Sequence, residues 1–264
     1  MKIICLIKFI PDVENIQFDK KKNVLMRENS RLTVNPDDET ALAAALKVKE
    51  KNPETIVEIL SMGPERAIPK FQDLLRRDVD KGVLISDPLY VGSDTFVTSR
   101  ILGTCLSKRM PDCIFTGTHS LDGDTSHVPA QIAELLDLSH INNVLNIDID
   151  QLMGDKAVVK VNSEGETLEF LMSLPAVISF EKSKEYKMPY IRYEEFQRDV
   201  NEKMEILTNH HLQMKEEEVG LQGSMTEVEK TFMKNVIEKE SIIVNNDDEG
   251  IEYVYKFLKE KGYL

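Results

Sequence analysis

Three cysteines among 264 residues, at positions 5, 105 and 113, are too few and too scattered for a disulfide framework or a thiolate metal site. Cys5 and Cys113 stand in strand-like apolar runs and Cys105 in a helical one, so buried free thiols in a reducing compartment are expected. Positive charge is scarce as well. With 33 Lys and Arg against 46 Asp and Glu the net charge is −13. Such a field repels nucleic acid and anionic membranes and argues against both as partners. No apolar run approaches the length that spans a bilayer, and MKIICLIKF is too short and too interrupted for the core of a signal peptide. No membrane insertion and a cytoplasmic location are therefore expected. The signatures G-x-G-x-x-G and G-x-x-x-x-G-K-[ST] are absent, so neither the usual dinucleotide turn nor a P-loop is available. His210 and His211 lie in a polar stretch without companion ligands, and chain order displays no Ser-His-Asp or Cys-His set. No catalytic and no metal-binding residue is assigned.

What is present is alternation. Hydrophobic residues make up 41% of the chain, enough at this length for one large domain, or a domain with an arm, around a real core. KIICLIKF (2–9), TIVEILSMG (55–63), KGVLIS (81–86) and DCIFTG (112–117) read as strands. Between and after them, ETALAAALKVKEK (39–51), RAIPKFQDLLRR (66–77), DTFVTSRILGTCLSKR (94–109) and AQIAELLDL (130–138) carry helical spacing. Pro69 falls in a first turn, where its missing N–H costs little. The pattern predicts an α/β fold with a parallel sheet and helices on both faces, every strand ending on one edge where ligands bind. Over 142–180 short strands follow one another without helices, which predicts an antiparallel extension of the sheet. From Lys182 charge is dense and apolar residues are scattered, so 182–264 is expected to form an arm resting on something else, apart from a domain at 1–181. Ile251, Val254, Phe257 and Leu258 restore helical spacing near the end.

Four loops fall at the ends of the predicted strands: IPDVEN, SMGPER, DPLYVGSDTFVTS and THSLDGDTSHV. Asn35-Pro36-Asp37-Asp38 and Gly92-Ser93-Asp94-Thr95 read as helix N-cap chemistry, and the set opening on one edge points to a nucleotide cleft. The last loop poses a difficulty. Asp122 and Asp124 flank Gly123 where a strand-to-helix turn would offer its N–H groups to an anion. A nucleophilic Asp would stand directly at the strand end, and a Ca²⁺ loop would need further alternating ligands and a distal Glu. Neither pattern is met.

NPDDETALAAAL, SMGP, GSDTFVTS, DGDTSHVPAQIAELL and, near the C-terminus, VGLQGSMTEVEKTF (219–232) occur in order, after a first strand that ends near Lys8 and runs into Pro11-Asp12. In these stretches the chain resembles the β subunit of electron transfer flavoproteins over most of its length, the DGDT loop with its helix being the most specific part. The resemblance implies a Rossmann-like domain of adenine-nucleotide-binding type and an obligate heterodimer with an α subunit that carries FAD. It implies a second FAD in this chain, or AMP as a structural filler in its place. NPDD looks closer to the members with a second FAD. Those take a hydride from NADH and pass one electron to ferredoxin or flavodoxin. The other goes through the α-subunit FAD to an acyl-CoA-type or related flavin dehydrogenase. A stand-alone adenine-nucleotide module is the reading from another class, and the missing P-loop and the arm speak against it.

Carried over by position, the resemblance implies a nucleotide site of Leu6, Asn35, Pro36, Asp37, Asp38, Met62, Ser120, Leu121, Asp122, Gly123, Asp124, Thr125, Ser126, His127, Val128 and Gln131, with Thr95 from a neighbouring loop. In that reading backbone N–H groups and the Thr125 and Ser126 hydroxyls hold the phosphates, and Asp122 and Asp124 keep the loop in shape. Two departures stand out. Where relatives read Gln-Val-Gly-Pro this chain has His127-Val128-Pro129-Ala130. Pro129 has no N–H to donate and fits only a first turn, so the helix is expected to start no earlier than Ser126. His127 is open to two readings, a protonated partner of an anion or a neutral donor that fixes the loop. In the arm, Pro189-Tyr190-Ile191-Arg192-Tyr193-Glu194-Glu195-Phe196 replaces the family's Pro-Arg stretch, which leaves the identity of the dehydrogenase open.

Overall fold

The computed structural model describes residues 1–12, 18–19, 24–25, 31–152, 154–227 and 242–264. Along the chain the elements are β1 (Lys2–Leu6), β2 (Phe9–Pro11), β3 (Phe18–Asp19), β4 (Val24–Leu25), β5 (Leu32–Val34), α1 (Pro36–Lys51), β6 (Ile56–Met62), α2 (Ile68–Leu75), β7 (Lys81–Ile85), α3 (Thr95–Ser107), β8 (Cys113–Gly117), α4 (His127–Leu136) and β9 (Ser139–Ile147). They continue with β10 (Lys156–Ser163), β11 (Glu166–Ser173), β12 (Ala176–Phe180), β13 (Met204–Leu207), α5 (Asn209–Leu212), α6 (Gly220–Gly223) and α7 (Asp248–Glu260). The chain divides into two compact units, Met1–Glu227 and Val228–Leu264.

A nine-stranded sheet in the order β11-β10-β9-β12-β8-β1-β6-β7-β13 organises the first unit. From β9 to β13 every neighbouring pair is parallel, and β10 runs antiparallel to both β9 and β11. Period-two alternation sorts the side chains. Ile3, Cys5, Val57, Ile59, Leu84 and Phe115 face one side, where α1 brings Ala41, Ala44, Ala45 and Val48 and α2 brings Phe71 and Leu75. Ile4, Leu6, Leu60, Val83 and Ile114 face the other, against Ile101, Leu102 and Leu106 of α3 and Ile132 of α4. The alanine-rich face of α1 lets that helix lie close to the sheet, and it is buried along most of its length. The predicted helices and parallel strands are thus all present, with helices on both faces. Cys5, Cys105 and Cys113 are buried and free, and burial pushes the Cys113 thiol up to about 12.

Two expectations change. AVISF is expected among the antiparallel strands, but β12 returns to the middle of the sheet and lies parallel to both β8 and β9. All of its residues are buried, the signature of a strand covered on both faces. The charged stretch from Lys182 also contributes to the sheet, for β13 adds in parallel to β7. Its scattered apolar residues Tyr186, Val200, Leu207, Leu212 and Val219 are each buried in the first unit. Tyr186 meets Phe180 edge-on at 5.9 Å, and its hydroxyl accepts the Ile147 N–H at 3.0 Å. This segment builds no core of its own and completes that of the sheet. His211 closes a capping box at the start of α5, its Nδ1 accepting the Thr208 N–H at 3.1 Å.

Within the second unit, Asp247 caps α7 by accepting the Gly250 N–H at 2.9 Å. The expected apolar positions Ile251, Val254 and Phe257 are exposed on this helix. Among the described residues no helix is long and apolar enough to cross a membrane.

Phe180 packs on Phe115, with ring centroids 4.9 Å apart, as well as on Tyr186. Phe180→Ala should lower stability by about 3–5 kcal/mol, read as a fall in the urea midpoint. A shift near zero would show that this aromatic stack does not hold the 182–227 segment in place.

Candidate functional site

The chain builds β1, β6 and β7 in one direction and then crosses to the opposite side of β1 to lay down β8. At such a reversal the connections from neighbouring strands leave on opposite faces and a crevice opens at the strands' C-terminal ends. A cavity of about 360 Å³ lies there. Leu6, Leu60, Met62 and Leu102 give it apolar surface, and Ser93, Thr95, Thr98, Thr116, Thr118, Ser120, Thr125 and Ser126 bring hydroxyl groups. Apolar lining with convergent polar groups is the character of a small-molecule site.

The start of α1 locks the site's back wall. Asp38 accepts the Lys8 N–H, just beyond β1, and the Gly117 N–H at the end of β8, both at 2.8 Å. Burial pushes this carboxyl up to about 7, against the opposing pull of those N–H groups. The contact requires glycine at 117, since a Cβ there would collide with Asp38 Oδ1 and stand 2.6 Å from Asp37 Cβ. Asp37 accepts the N–H groups of His119 and Lys182 at 3.3 and 3.1 Å, and its Oδ2 lies 2.7 Å from His119 Nδ1. Asn35 occupies the N-cap position of α1 but makes no capping bond. Its side chain instead donates to the His119 carbonyl at 2.7 Å and accepts the Leu121 N–H at 3.3 Å. The expected capping role of Asn35 is therefore replaced by a tether to the loop after β8.

That loop resolves the problem of its acids. Asp122 Oδ1 pairs with Lys8 Nζ at 2.7 Å, and Lys8 also donates to Ser120 Oγ at 3.1 Å. Burial would raise the Asp122 carboxyl, but the hydrogen bond and charge of Lys8 hold it below its ordinary value. Asp124 is left-handed (φ 48°), its N–H donates to the Ser120 carbonyl at 2.8 Å, and its side chain is 79% exposed. Ser126 is also left-handed (φ 55°) and precedes the first residue of α4, His127. Left-handed residues ahead of a helix N-terminus form the kind of backbone concavity that receives anions. Pro129 lies in the first turn of α4, as expected from its missing N–H.

The glycine-rich stretch near the C-terminus, described as far as Glu227, packs beside the start of α3. Asp94 caps α3 through the Val97 N–H at 3.0 Å. Its other oxygen accepts the N–H groups of Met225 and Thr226 at 2.9 and 3.0 Å and the Thr226 hydroxyl at 3.0 Å. Burial opposes ionisation of Asp94, but these bonds hold its carboxyl below the ordinary range. Gly220 is left-handed (φ 60°), and a Cβ there would strike the Leu89 carbonyl.

Of the residues expected at the site, Leu6, Asn35, Asp38, Met62, Thr95, Ser120, Gly123, Thr125, Ser126, His127 and Val128 line the cavity. The others stand off its lining. Pro36 opens α1, Leu121 is exposed, and Asp37, Asp122 and Asp124 hold or edge the loop. Gln131 accepts the Ser99 hydroxyl at 2.8 Å. Lys8, Asp94, Thr98, Thr118 and His119 line the cavity without having been assigned to it. The available signal for Lys8 and His119 is position, since Lys8 stands near the end of the first strand run and His119 two residues past the fourth. Residues 13–15 of the first loop and 228–232 of the glycine-rich stretch lie outside the described residues.

Residues 22–189 match the Electron transfer flavoprotein domain family. The chain is 30% identical to the electron transfer flavoprotein subunit beta of Thermoanaerobacterium thermosaccharolyticum, with all of both chains covered. It is 31% identical to the caffeyl-CoA reductase-Etf complex subunit CarD of Acetobacterium woodii, covering 88% of this chain and 87% of that one. It is 28% identical to the acryloyl-CoA reductase electron transfer subunit gamma of Anaerotignum propionicum over the full length of both.

Asp38→Asn keeps the volume but turns an amide NH₂ towards one of two N–H donors, and should cost about 1–3 kcal/mol in urea unfolding. The folded value of Asp38, about 7, exceeds the unfolded value, about 4. Its contribution to stability is therefore full below the unfolded value and is lost as pH rises through the folded one. Asp38→Asn should remove that part of the decline between pH 5 and pH 7, and an unchanged pH profile would count against it. Gly117→Ala should displace the start of α1 and cost about 1–3 kcal/mol in the same assay.

Proposed function

Because the chain belongs to the electron transfer flavoprotein family, we propose that it serves as the β subunit of a heterodimeric, electron-bifurcating flavoprotein and holds an FAD by its adenine nucleotide half in the cavity beside β1 and β8. The observation that carries this reading is the cavity itself, which joins an apolar lining to a ring of hydroxyls and to the left-handed turn ahead of α4. Leu6, Leu60, Met62 and Leu102 offer surface to an adenine ring. Backbone N–H groups from 125 to 128, with the Thr125 and Ser126 hydroxyls, suit the phosphates. Asp37 stands off the lining and Asp38 faces it, but the oxygens of both are occupied by backbone donors, which tempers their repulsion of the ligand. The Asp after Pro36 also supports FAD over AMP, since the AMP-holding members tend to carry an apolar residue there.

When bound, the FAD supplies hydride acceptance from NADH and division of the electron pair between ferredoxin or flavodoxin and, by way of the α-subunit FAD, an acyl-CoA-type or related flavin dehydrogenase. The names of relatives that serve caffeyl-CoA and acryloyl-CoA reductases support that last partner class. This chain's own part is to bind and orient the nucleotide and to dock. The exposed Ile251, Val254 and Phe257 of α7 offer an apolar stripe for the α subunit. The exposed Tyr190, Tyr193 and Phe196 of the 182–227 segment offer aromatic anchors for a dehydrogenase. The complex is proposed to work in the cytoplasm.

Co-expression with the α subunit, followed by release and quantification of nucleotides, tests the cofactor. Two FAD per heterodimer are expected; one FAD and one AMP would restrict the subunit to plain electron transfer. A stable monomer that hydrolyses ATP would overturn the functional reading altogether. Ile251→Asp with Phe257→Asp in α7 should abolish co-purification of the α subunit while the chain still folds, and full co-purification would place the heterodimer contact elsewhere.

A further inference from the structure

A second cavity, of about 960 Å³, shares no lining residue with the nucleotide site. Its walls are the later part of α1, the end of α2 and the 184–203 stretch of the charged segment. Nine Lys and Arg line it against four Asp and Glu, in a chain whose net charge is −13. Ion pairs account for little of this excess. Asp78 and Glu195 are spent on Lys49 and Arg198, and Arg76 pairs with Asp73. Six cations remain outside any ion pair among the described residues: Lys47, Arg77, Lys184, Lys187, Arg192 and Lys203.

Three of the six are held in place by groups that carry no charge. Lys47 Nζ stands 5.6 Å from the centroid of the Tyr186 ring. Arg77 Nε donates to the Pro189 carbonyl at 3.0 Å, and its Nη1 donates to the Asp73 carbonyl. Lys203 Nζ donates to the Val79 carbonyl at 2.9 Å. Burial works against the charge of Arg77, and Asp73 and Glu39 favour it without an ion pair. These contacts fix position and leave the positive charge uncompensated. Arg77 stands just past the C-terminal end of α2, where a cation also complements the helix dipole. Lys184, Lys187 and Arg192 lie outside any helix and are exposed, so that duty does not account for them.

We propose that this cavity is a second ligand site, for a small molecule that carries a chain of phosphates. A cleft lined by charge of one sign focuses the field and concentrates ligands of the other. The volume lies at the upper end of the range for small-molecule sites. Cations on both walls suit a phosphate chain passing between them better than they suit the broad face of a protein. Tyr190, also on the lining and 96% exposed, offers a ring to a base attached to that chain. The bound molecule ties the 184–203 stretch to α1 and α2, since each wall supplies part of its charge.

The test titrates inorganic triphosphate into the full chain, with calorimetry for affinity and melting temperature for folding. Lys184→Glu with Lys187→Glu is compared with Lys108→Glu plus Lys156→Glu, which changes net charge equally at exposed sites off the cavity. Triphosphate should bind the wild type and raise its melting temperature. Affinity should fall about tenfold in the Lys184/Lys187 variant, the scale of two exposed charge pairs, and stay near wild type in the control. ATP run in parallel separates the two sources of a phosphate chain. Tighter binding of ATP, lost in Tyr190→Ala, assigns a nucleoside polyphosphate, and equal affinities that Tyr190→Ala leaves unchanged assign the inorganic chain. Equal affinity in the wild type and the Lys184/Lys187 variant, or an equal fall in the control, overturns the site. Absence of triphosphate binding to the wild type overturns it too, and a dehydrogenase that then needs Lys184 and Lys187 to bind would assign the charge to a protein interface.

Discussion

A single buried carboxylate is the constraint on which the rest of the site depends. β1 and β8 are neighbours in a parallel sheet, and their chains must part where the strands end. Parting leaves backbone N–H groups without a strand partner in a place that water cannot reach freely, and a buried unpaired N–H is costly. Asp38 supplies both missing acceptors at once, to Lys8 and to Gly117. It comes from the first turn of α1, where the helix N-terminus also favours a negative charge. The same bonds dictate glycine at 117 and the close seating of α1, so the carboxylate, the glycine and the small residues of the helix form one requirement.

From this clamp the order spreads outward. Asp37 carries it to the exit of β12 through Lys182, and with Asn35 it carries it into the loop after β8 through His119 and Leu121. Lys8 extends it to Asp122 and Ser120. The result is a loop whose path is set by side chains from outside it, which is what left-handed Asp124 and Ser126 need in order to persist without glycine.

The sequence displayed most of the fold because its elements are buried in one of two simple ways. Strands covered on both faces are continuous apolar runs, and helices covered on one face repeat at helical spacing. Less legible was anything decided by which segments meet. AVISF looks alike whether it ends a meander or returns to the centre, and MEIL in a charged stretch gives no sign that it will pair with β7. Within the site, residues that face the cavity from known strand ends could be named from the resemblance. Lys8 and His119 could not, because their importance lies in contacts to Asp122 and Asp37, 114 and 82 residues away.

The acids of the site also show how a strongly acidic chain can hold an anion. The net charge of −13 gives a repulsive field at a distance, but such a field is screened within about 10 Å in salt. What matters at contact is whether each carboxylate already has its donors. Asp38 has backbone N–H groups, Asp37 has N–H groups and an imidazole, Asp94 has the N–H groups and hydroxyl of the 225–226 turn, and Asp122 has Lys8. Asp124 projects into solvent, with His119 Nε2 on its inner side. Negative charge is thus tied into the scaffold, and the groups left to face the cavity are hydroxyls, the turn ahead of α4 and two imidazoles. The loop can carry acids and still receive phosphates because its acids are spent on holding its shape.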